Sequence, residues 1–172
     1  MVKGRCNWYA AAKAPLAQPD AAIGRKRELE AMFQSWFTSI PQLINATNEA
    51  DILTTDLYDR LPVKPWSQQN ITLLGDAAHP MLPTMGQGAC TALEDAFVIA
   101  KCLQEQSDPT AAFQKYEALR FPRTKLIVEQ SLQSAKMGEL ENPLAVVLRN
   151  TFMKLMGSAI SNSFKSVHAY RA

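Results

Sequence analysis

The sequence lacks the features by which several large classes of protein are identified. Its three cysteines form no Cys-x-x-Cys pair and leave an odd number, which is typical of reduced, intracellular proteins rather than disulfide frameworks. No charged-then-apolar leader opens the chain, and no apolar run approaches the roughly 18 residues of a membrane-spanning helix. A net charge of +2 is too small to indicate a nucleic-acid surface. We therefore expect a cytoplasmic protein that binds no nucleic acid.

Several catalytic signatures are missing too. The sequence contains no Gly-x-Ser-x-Gly elbow and no cysteine with a histidine arranged beside it, so a hydrolase would have no nucleophile. Only His79 and His168 are present, and no third donor clusters with them, so we expect no metal ion. We interpret His79 as a turn residue bonded to nearby backbone, and we assign no catalytic side chain.

What the sequence does contain is enough apolar material for one core. With 172 residues and 47% hydrophobic content, the chain has the size of one ordinary domain or part of one. Its most informative pattern lies in residues 71–97. The apolar run from Ile71 to Leu74 stops at Gly75, as a buried strand does before a residue that can take any backbone conformation.

Asp76 then follows the predicted strand at its carboxyl end. Open α/β sheets bind ligands at this end of their strands, and a carboxylate there can accept hydrogen bonds from sugar or ribityl hydroxyls. Taken alone, an aspartate in this place is more often a turn or cap residue. Both interpretations stay open on the residues themselves.

Two glycines, Gly86 and Gly88, allow the backbone to approach a ligand closely just before a predicted helix. The free N–H groups and partial positive charge of a helix N-terminus favour an anionic group across residues 86–90. Cys90 lies near this end and could be reactive, but its small neighbours favour a packed position. Apolar residues recur along the helix at Ala89, Ala92, Leu93, Ala96, Phe97, Ala100 and Leu103.

These residues carry a resemblance to a known family. Gly75-Asp76-Ala-Ala-His79-Pro80, Pro83, Gly86-Gln87-Gly88 and Ala92-Leu93-Glu94-Asp95-Ala96 resemble the second flavin-binding motif of the single-component FAD-dependent aromatic hydroxylases, a group that includes zeaxanthin epoxidase. The resemblance extends upstream through Asp56-Leu-Tyr-Asp-Arg60 and Trp66 and downstream through Tyr116-Glu-Ala-Leu-Arg120-Phe-Pro-Arg123. The family's amino-terminal Gly-x-Gly-x-x-Gly after a strand is absent, and no P-loop replaces it.

The resemblance implies a fold and an organisation. It implies an α+β, mostly helical fragment, the C-terminal part of a glutathione-reductase-like FAD-binding fold with remnant strands of the substrate-domain sheet. We predict a partial substrate-side sheet with helices in residues 1–66. Residues 67–106 would form the strand, loop and helix of the FAD domain, and residues 107–172 the C-terminal helices.

The resemblance also implies a chemistry. FAD would be reduced by NADPH or NADH, form a C4a-hydroperoxide and hydroxylate or epoxidise a small aromatic or olefinic substrate. Pro83 and Thr84 would line the substrate side of the ring. An amino-terminal half on a separate chain, or a homo-oligomer, would complete the site. The alternative is a non-catalytic remnant or interaction module that binds no flavin. The cofactor-binding residues would be Gly75, Asp76, Pro83, Gly86, Gln87, Gly88 and Ala89.

The remaining segments are predicted from their patterns. We expect strands at 5–12 and 51–58, a linker at 15–24, a helix at 25–40 whose apolar stripe is core, and a short helix at 42–47. Asp108 should cap a helix that Pro122 kinks or divides, with Arg120 and Arg123 as surface ion pairs or as caps of the cofactor face. A last helix from Pro143 should break at Gly157, and its basic face leaves peripheral membrane contact open beside ordinary packing.

Overall fold

The computed structural model describes residues 6–15, 17 and 23–168, with side chains described up to residue 159 and at Asn162. The chain divides into two compact units, Met1–Leu57 and Tyr58–Ala172. Most of the predicted linker at 15–24 lies outside the described residues, as does Arg5 at the start of the first predicted strand.

The first unit contains two short helices, α1 (Arg25–Phe33) and α2 (Ser39–Ala46). The predicted helix over 25–40 is wrong in extent, because the chain turns after Phe33 and Trp36 N donates to Phe33 O at 3.0 Å. Pro41 lies in the first turn of α2, where its missing N–H breaks no helical bond. Phe33 is buried, but Met32 and Trp36 are 46% and 60% exposed, so the predicted core stripe is only partly core.

Neither strand predicted in this unit is present among the described residues. Residues 6–15 carry no regular secondary structure, and a short 3₁₀ turn, Glu49–Asp51, precedes irregular chain from 52 to 66. A strand exists only where a neighbouring backbone completes its hydrogen bonds, and no described segment pairs with these residues. The expected remnant of a substrate-domain sheet is therefore wrong for the described chain.

The second unit begins with a small antiparallel hairpin of β1 (Ser67–Gln68) and β2 (Ile71–Thr72). Gln69, at the turn, has a positive φ of 51°. The predicted strand at Ile71–Leu74 is confirmed only at Ile71–Thr72. Its predicted burial is wrong, because Ile71 is 71% exposed and the described hairpin has no further strand beside it to cover that side chain. The described part of the chain is thus mostly helical with one two-stranded sheet.

Two long helices, α3 (Gly88–Glu105) and α4 (Pro109–Gly138), pack together in this unit. Asp108 caps α4 as predicted, since its carboxylate accepts from the backbone N–H of Thr110 and Ala111 at 3.1 and 3.2 Å. Pro122 lies inside α4 without dividing it. The core around these helices consists of Trp66, Ala78, Val98, Cys102, Ala112 and Tyr116.

The helix α3 buries the side opposite to its apolar stripe. Thr91, Asp95, Val98 and Cys102 are buried, whereas Leu93, Phe97 and Leu103 are 72%, 57% and 44% exposed. We refer to Leu93, Ala96, Phe97, Ala100 and Leu103 as the apolar face of α3. The usual burial of such a stripe fails because α4 packs on the other side, and no described element covers the apolar face.

The last helix, α5 (Pro143–His168), is capped by Asn142, whose Oδ1 accepts from the N–H of Leu144 and Ala145. It continues through Gly157, so the predicted break there is wrong; a glycine inside a helix costs only about 1 kcal/mol relative to alanine. Leu144, Leu148, Phe152 and Leu155 are exposed. Among the described residues, no helix combines the length and apolarity that crossing a membrane requires.

Candidate functional site

The predicted cofactor-binding residues lie in two turns of the second unit. The first, which we name the Asp76 turn, comprises residues 75–79. Gly75 has a φ of +58°, and its carbonyl oxygen accepts from the N–H of Ala78 and of His79, each at 2.9 Å. Asp76 is exposed, and no hydrogen bond or ion pair joins it to another described residue. Its carboxylate is therefore available to accept hydrogen bonds from a ligand.

The second turn, named the Gly86 turn, comprises residues 83–89 and leads into α3. Gly86 has a φ of +62°, and a Cβ placed there would meet no atom within 4 Å. The glycine is thus required by its backbone conformation, and the space beside it is open. No side chain caps α3, so the first N–H groups of the helix have no intrahelical acceptor and can bind an anionic group.

The two predicted substrate-side residues, Pro83 and Thr84, are exposed. Thr84 Oγ1 donates to the carbonyl oxygen of Ser131 on α4 at 2.6 Å, so its hydroxyl proton is already used within the protein. Gln87 is buried, and its carbonyl oxygen accepts from both the N–H and the hydroxyl of Thr91. These bonds fix the Gly86 turn on the two helices, while Pro83, Thr84, Gly86 and Ala89 remain at the surface.

Beneath the Asp76 turn lies a buried carboxylate that the sequence analysis did not single out. Asp95 Oδ2 accepts from Gly75 N at 2.9 Å and from His79 Nε2 at 2.6 Å, and Oδ1 accepts from Arg120 Nε at 2.7 Å. Burial alone would raise the pKa of the Asp95 carboxyl. The bonds from His79, Gly75 and Arg120 outweigh burial and hold the pKa below its ordinary value. Asp95 is therefore an ionised acceptor.

His79 is fully buried and bonds to this carboxylate rather than to nearby backbone, so that part of the prediction is wrong. Because an ionised carboxylate can only accept, the proton on this bond belongs to Nε2. The other ring nitrogen, Nδ1, is buried without a hydrogen-bond partner in the described chain. The ring centroids of His79 and Trp66 lie 5.7 Å apart, so the imidazole also belongs to the core.

Arg120 and Arg123 were predicted as surface ion pairs or as caps of the cofactor face. The surface interpretation is wrong for Arg120, which is completely buried. Its Nη2 lies 2.8 Å from Glu94 Oε2 and donates to Thr91 O at 3.3 Å. Arg123 Nη2 donates to the other carboxylate oxygen of Glu94, Oε1, at 3.1 Å. The available signal was the spacing: adjacent acids on α3 face two arginines three residues apart on α4, which share one helical side.

The cysteines also differ from expectation. Cys90, predicted to be packed, is exposed at the start of α3, because its side of the helix faces away from α4. Cys102 is buried in the core, and burial raises the pKa of its thiol. The start of α3 therefore presents a thiol as well as free N–H groups.

The first unit holds a separate apolar cavity of about 200 Å³. Its walls include Trp8, Phe33, Trp36 and Ile44, and the indole N–H of Trp8 donates to Thr47 Oγ1 at 3.0 Å. Such an apolar, aromatic lining is typical of pockets that bind apolar groups.

A family model described as an FAD binding domain matches residues 43–131, which include both turns, all of α3 and most of α4. Among curated relatives, the chain is 42% identical over 159 residues to an aurachin C monooxygenase/isomerase from Stigmatella aurantiaca, covering 91% of this chain and 40% of that protein. It is 38% identical over 144 residues to the chloroplastic zeaxanthin epoxidase of Arabidopsis thaliana, covering 78% of this chain and 22% of that one.

Among solved structures, the Klebsiella pneumoniae HpxO complexed with FAD and uric acid superposes with a TM-score of 0.80 at 24% identity. The match covers 89% of this chain and 40% of HpxO. At this identity the likeness concerns the fold alone. The chain thus spans less than half the length of each of these proteins.

Proposed function

This chain belongs to the family of FAD-dependent monooxygenases, and from that premise we propose that it forms the carboxyl-terminal part of such an enzyme. The observation that carries this proposal is the presence in one unit of an exposed carboxylate at Asp76 that has no partner among the described residues and an uncapped helix N-terminus after Gly86. In this proposal the two turns belong to a glutathione-reductase-like FAD domain whose amino-terminal part is supplied by other residues.

The residues present fit one end of FAD. A carboxylate without other partners suits the ribityl hydroxyls, and free N–H groups at a helix start suit the electron-rich edge of the flavin ring. The open space beside Gly86 leaves room for close approach. No described residue offers a comparable cradle for the pyrophosphate, which agrees with the absence of Gly-x-Gly-x-x-Gly from the sequence. When bound and reduced by NADPH or NADH, FAD would supply the oxygen chemistry.

The chain's own residues would position the cofactor and polarise its flavin ring. Asp76 would hold the cofactor in register through its hydroxyl groups, and the amides of residues 86–89 would stabilise negative charge on the ring. Pro83 and Thr84 would shape the substrate side as contact surface, since the Thr84 hydroxyl proton is bound to Ser131. We expect the substrate to be a small aromatic or olefinic compound.

The apolar face of α3 supports a requirement for more protein. An apolar stripe opposite a buried polar side is the arrangement of a helix that packs on both sides. We propose that this face packs against the amino-terminal part of the FAD domain, whether on the same polypeptide or on a separate one. A homo-oligomer that covers the same face is the alternative, and sedimentation of the isolated chain distinguishes them.

The visible spectrum of the purified protein tests the cofactor assignment. We expect the 172-residue chain to retain little flavin alone and to retain FAD once the complementary amino-terminal half is supplied. Stoichiometric, tight FAD on the isolated chain would contradict the need for a second part. Absence of flavin from the completed protein would favour a non-catalytic interaction module instead.

A variant pair tests the assigned roles in the completed protein. Asp76→Ala should weaken FAD binding because it removes the acceptor for the ribityl hydroxyls, whereas Asp59→Ala, at another exposed carboxylate of the same unit, should not. His79→Ala should weaken binding less than Asp76→Ala, because the imidazole is buried beneath the turn. FAD dissociation constants from fluorescence quenching measure all three, and equal losses would argue against the roles.

We also propose that α5 can contact an anionic membrane surface. No acidic residue follows Glu141, whereas Arg149, Lys154 and Lys165 do, and most of the described apolar side chains of α5 are exposed. Flotation with anionic vesicles should carry the chain upward, and Lys154→Glu with Lys165→Glu should abolish it. Flotation that survives these substitutions, or that occurs equally with neutral vesicles, would argue against the electrostatic contact.

A further inference from the structure

We propose that Asp95 is a positioning residue for the cofactor site, which holds both ends of the Asp76 turn from the protein interior and thereby fixes the outward direction of Asp76. This inference rests on the proposed function, because it assigns Asp95 a role in presenting a ligand-binding carboxylate. Asp95 would act only through the turn.

One carboxylate oxygen of Asp95 holds both ends of the turn. Asp95 Oδ2 accepts from Gly75 N at 2.9 Å and from His79 Nε2 at 2.6 Å. These residues are the first and last of the five-residue turn, and Asp76 lies between them. Fixing both ends removes most of the backbone freedom that would otherwise have to be lost when a ligand binds Asp76.

The other carboxylate oxygen of Asp95 connects the turn to the helices. Asp95 Oδ1 accepts from Arg120 Nε at 2.7 Å, and the same guanidinium bonds Glu94 and Thr91 O. The turn is therefore fastened through one side chain to both α3 and α4. Arg60 Nη2 adds a bond to Ala77 O at 3.1 Å, but that arginine is exposed and the bond is less protected from water.

Asp95 itself cannot contact a ligand. Its side chain is completely buried, and both carboxylate oxygens accept bonds from within the protein. The low pKa of its carboxyl keeps it ionised, so these bonds remain charge-assisted near neutral pH. Asp76, by contrast, lies exposed in the turn above Asp95, and its carboxylate accepts no hydrogen bond from a described residue.

Amide hydrogen exchange of the full 172-residue chain, read by NMR, tests the anchoring without any cofactor. In the unaltered chain, the Gly75 amide should be protected to the same degree as core amides of α3, because it donates to a buried carboxylate. Exchange of Gly75 at the rate of an exposed loop amide would overturn the proposal. This measurement needs no substitution and therefore does not depend on a variant that folds.

A matched pair of variants then separates positioning from general stability. Asp95→Asn removes the charge-assisted bonds to the turn, and we expect Gly75 exchange to accelerate about tenfold or more relative to the α3 core. Glu94→Gln weakens the bonding of the same Arg120 but touches no residue of the turn, so it should leave that ratio unchanged. Equal acceleration of turn and core amides in both variants would mean a purely structural role and would overturn the proposal.

In the completed, FAD-binding protein, a double-substitution cycle gives a second readout. If Asp95 acts through Asp76, Asp95→Asn should weaken FAD binding when Asp76 is present. It should cause no further loss of FAD affinity in a protein that already carries Asp76→Ala. Additive losses would overturn the proposal. Absence of FAD binding in every form would refute the proposed function instead, and the exchange ratio in the chain alone would still decide whether Asp95 fixes the turn.

Discussion

Removal of the Arg120 guanidinium tests whether burial, rather than the distance between the charged atoms, determines how much an ion pair contributes to the free energy of unfolding of this protein. Arg120→Met keeps an unbranched, flexible side chain at the site but removes the cation between Asp95 and Glu94. Asp95 would then be fully buried without its cationic partner. Breaking a buried pair on one side costs about 3–5 kcal/mol in the free energy of unfolding. That loss is a large part of the roughly 5–15 kcal/mol of a typical domain.

The matched control is the pair between Lys115 and Glu105. Its N–O distance of 2.6 Å is as short as the 2.7 Å between Arg120 and Asp95, but its side chains are 41% and 43% exposed. Solvent screens such a pair, so Lys115→Met should leave the stability of the chain nearly unchanged. Urea unfolding, followed by the circular dichroism of the helices, measures both variants. Similar losses in the two would refute the reasoning, as would an Arg120→Met loss below about 1 kcal/mol.

Three further results are expected. The folded-state pKa of Asp95 lies below the ordinary value of about 3.9, so the stability that this carboxylate contributes is full above that pH and is lost as pH falls through the lower folded value. Urea unfolding between about pH 3 and about pH 6 should show this loss of stability. Asp95→Asn should flatten the dependence of stability on pH. Gly86→Ala should destabilise the chain by about 1–2 kcal/mol through its positive φ although the site has room, and Gly157→Ala, inside α5, serves as the control that should not. A thiol reagent should modify Cys90 much faster than Cys102 in the folded chain and at similar rates in urea; slow modification of Cys90 in the folded chain would contradict its exposure.

The features that local chemistry determines could be predicted from the sequence. Asp108 before Pro109 caps α4 because its carboxylate reaches N–H groups two and three residues later. The start of a helix at the two glycines was predicted in the same way, and α3 begins at Gly88. Gly75, expected as a residue that can take any backbone conformation, has a positive φ. The predicted site residues lie in two turns that the structure contains, and their contacts with a cofactor stay a prediction.

The features that depend on residues distant in the sequence could not be predicted in this way. The apolar residues near Ile71 look like a buried strand, but their burial requires neighbouring strands that the described chain does not contain. The central role of Asp95 was hidden for a similar reason. Its three donors come from residues 75, 79 and 120, and only the packing of α3 on α4 brings them to one carboxylate.

The uncovered side of α3 also has a practical consequence for anyone who expresses this chain alone. Leucine and phenylalanine side chains exposed in a row form the kind of apolar surface to which hydrophobic dyes, chromatography resins and chaperones bind. We expect the recombinant polypeptide to bind such dyes until that surface is covered, and co-expression with a protein that covers it should reduce the dye binding.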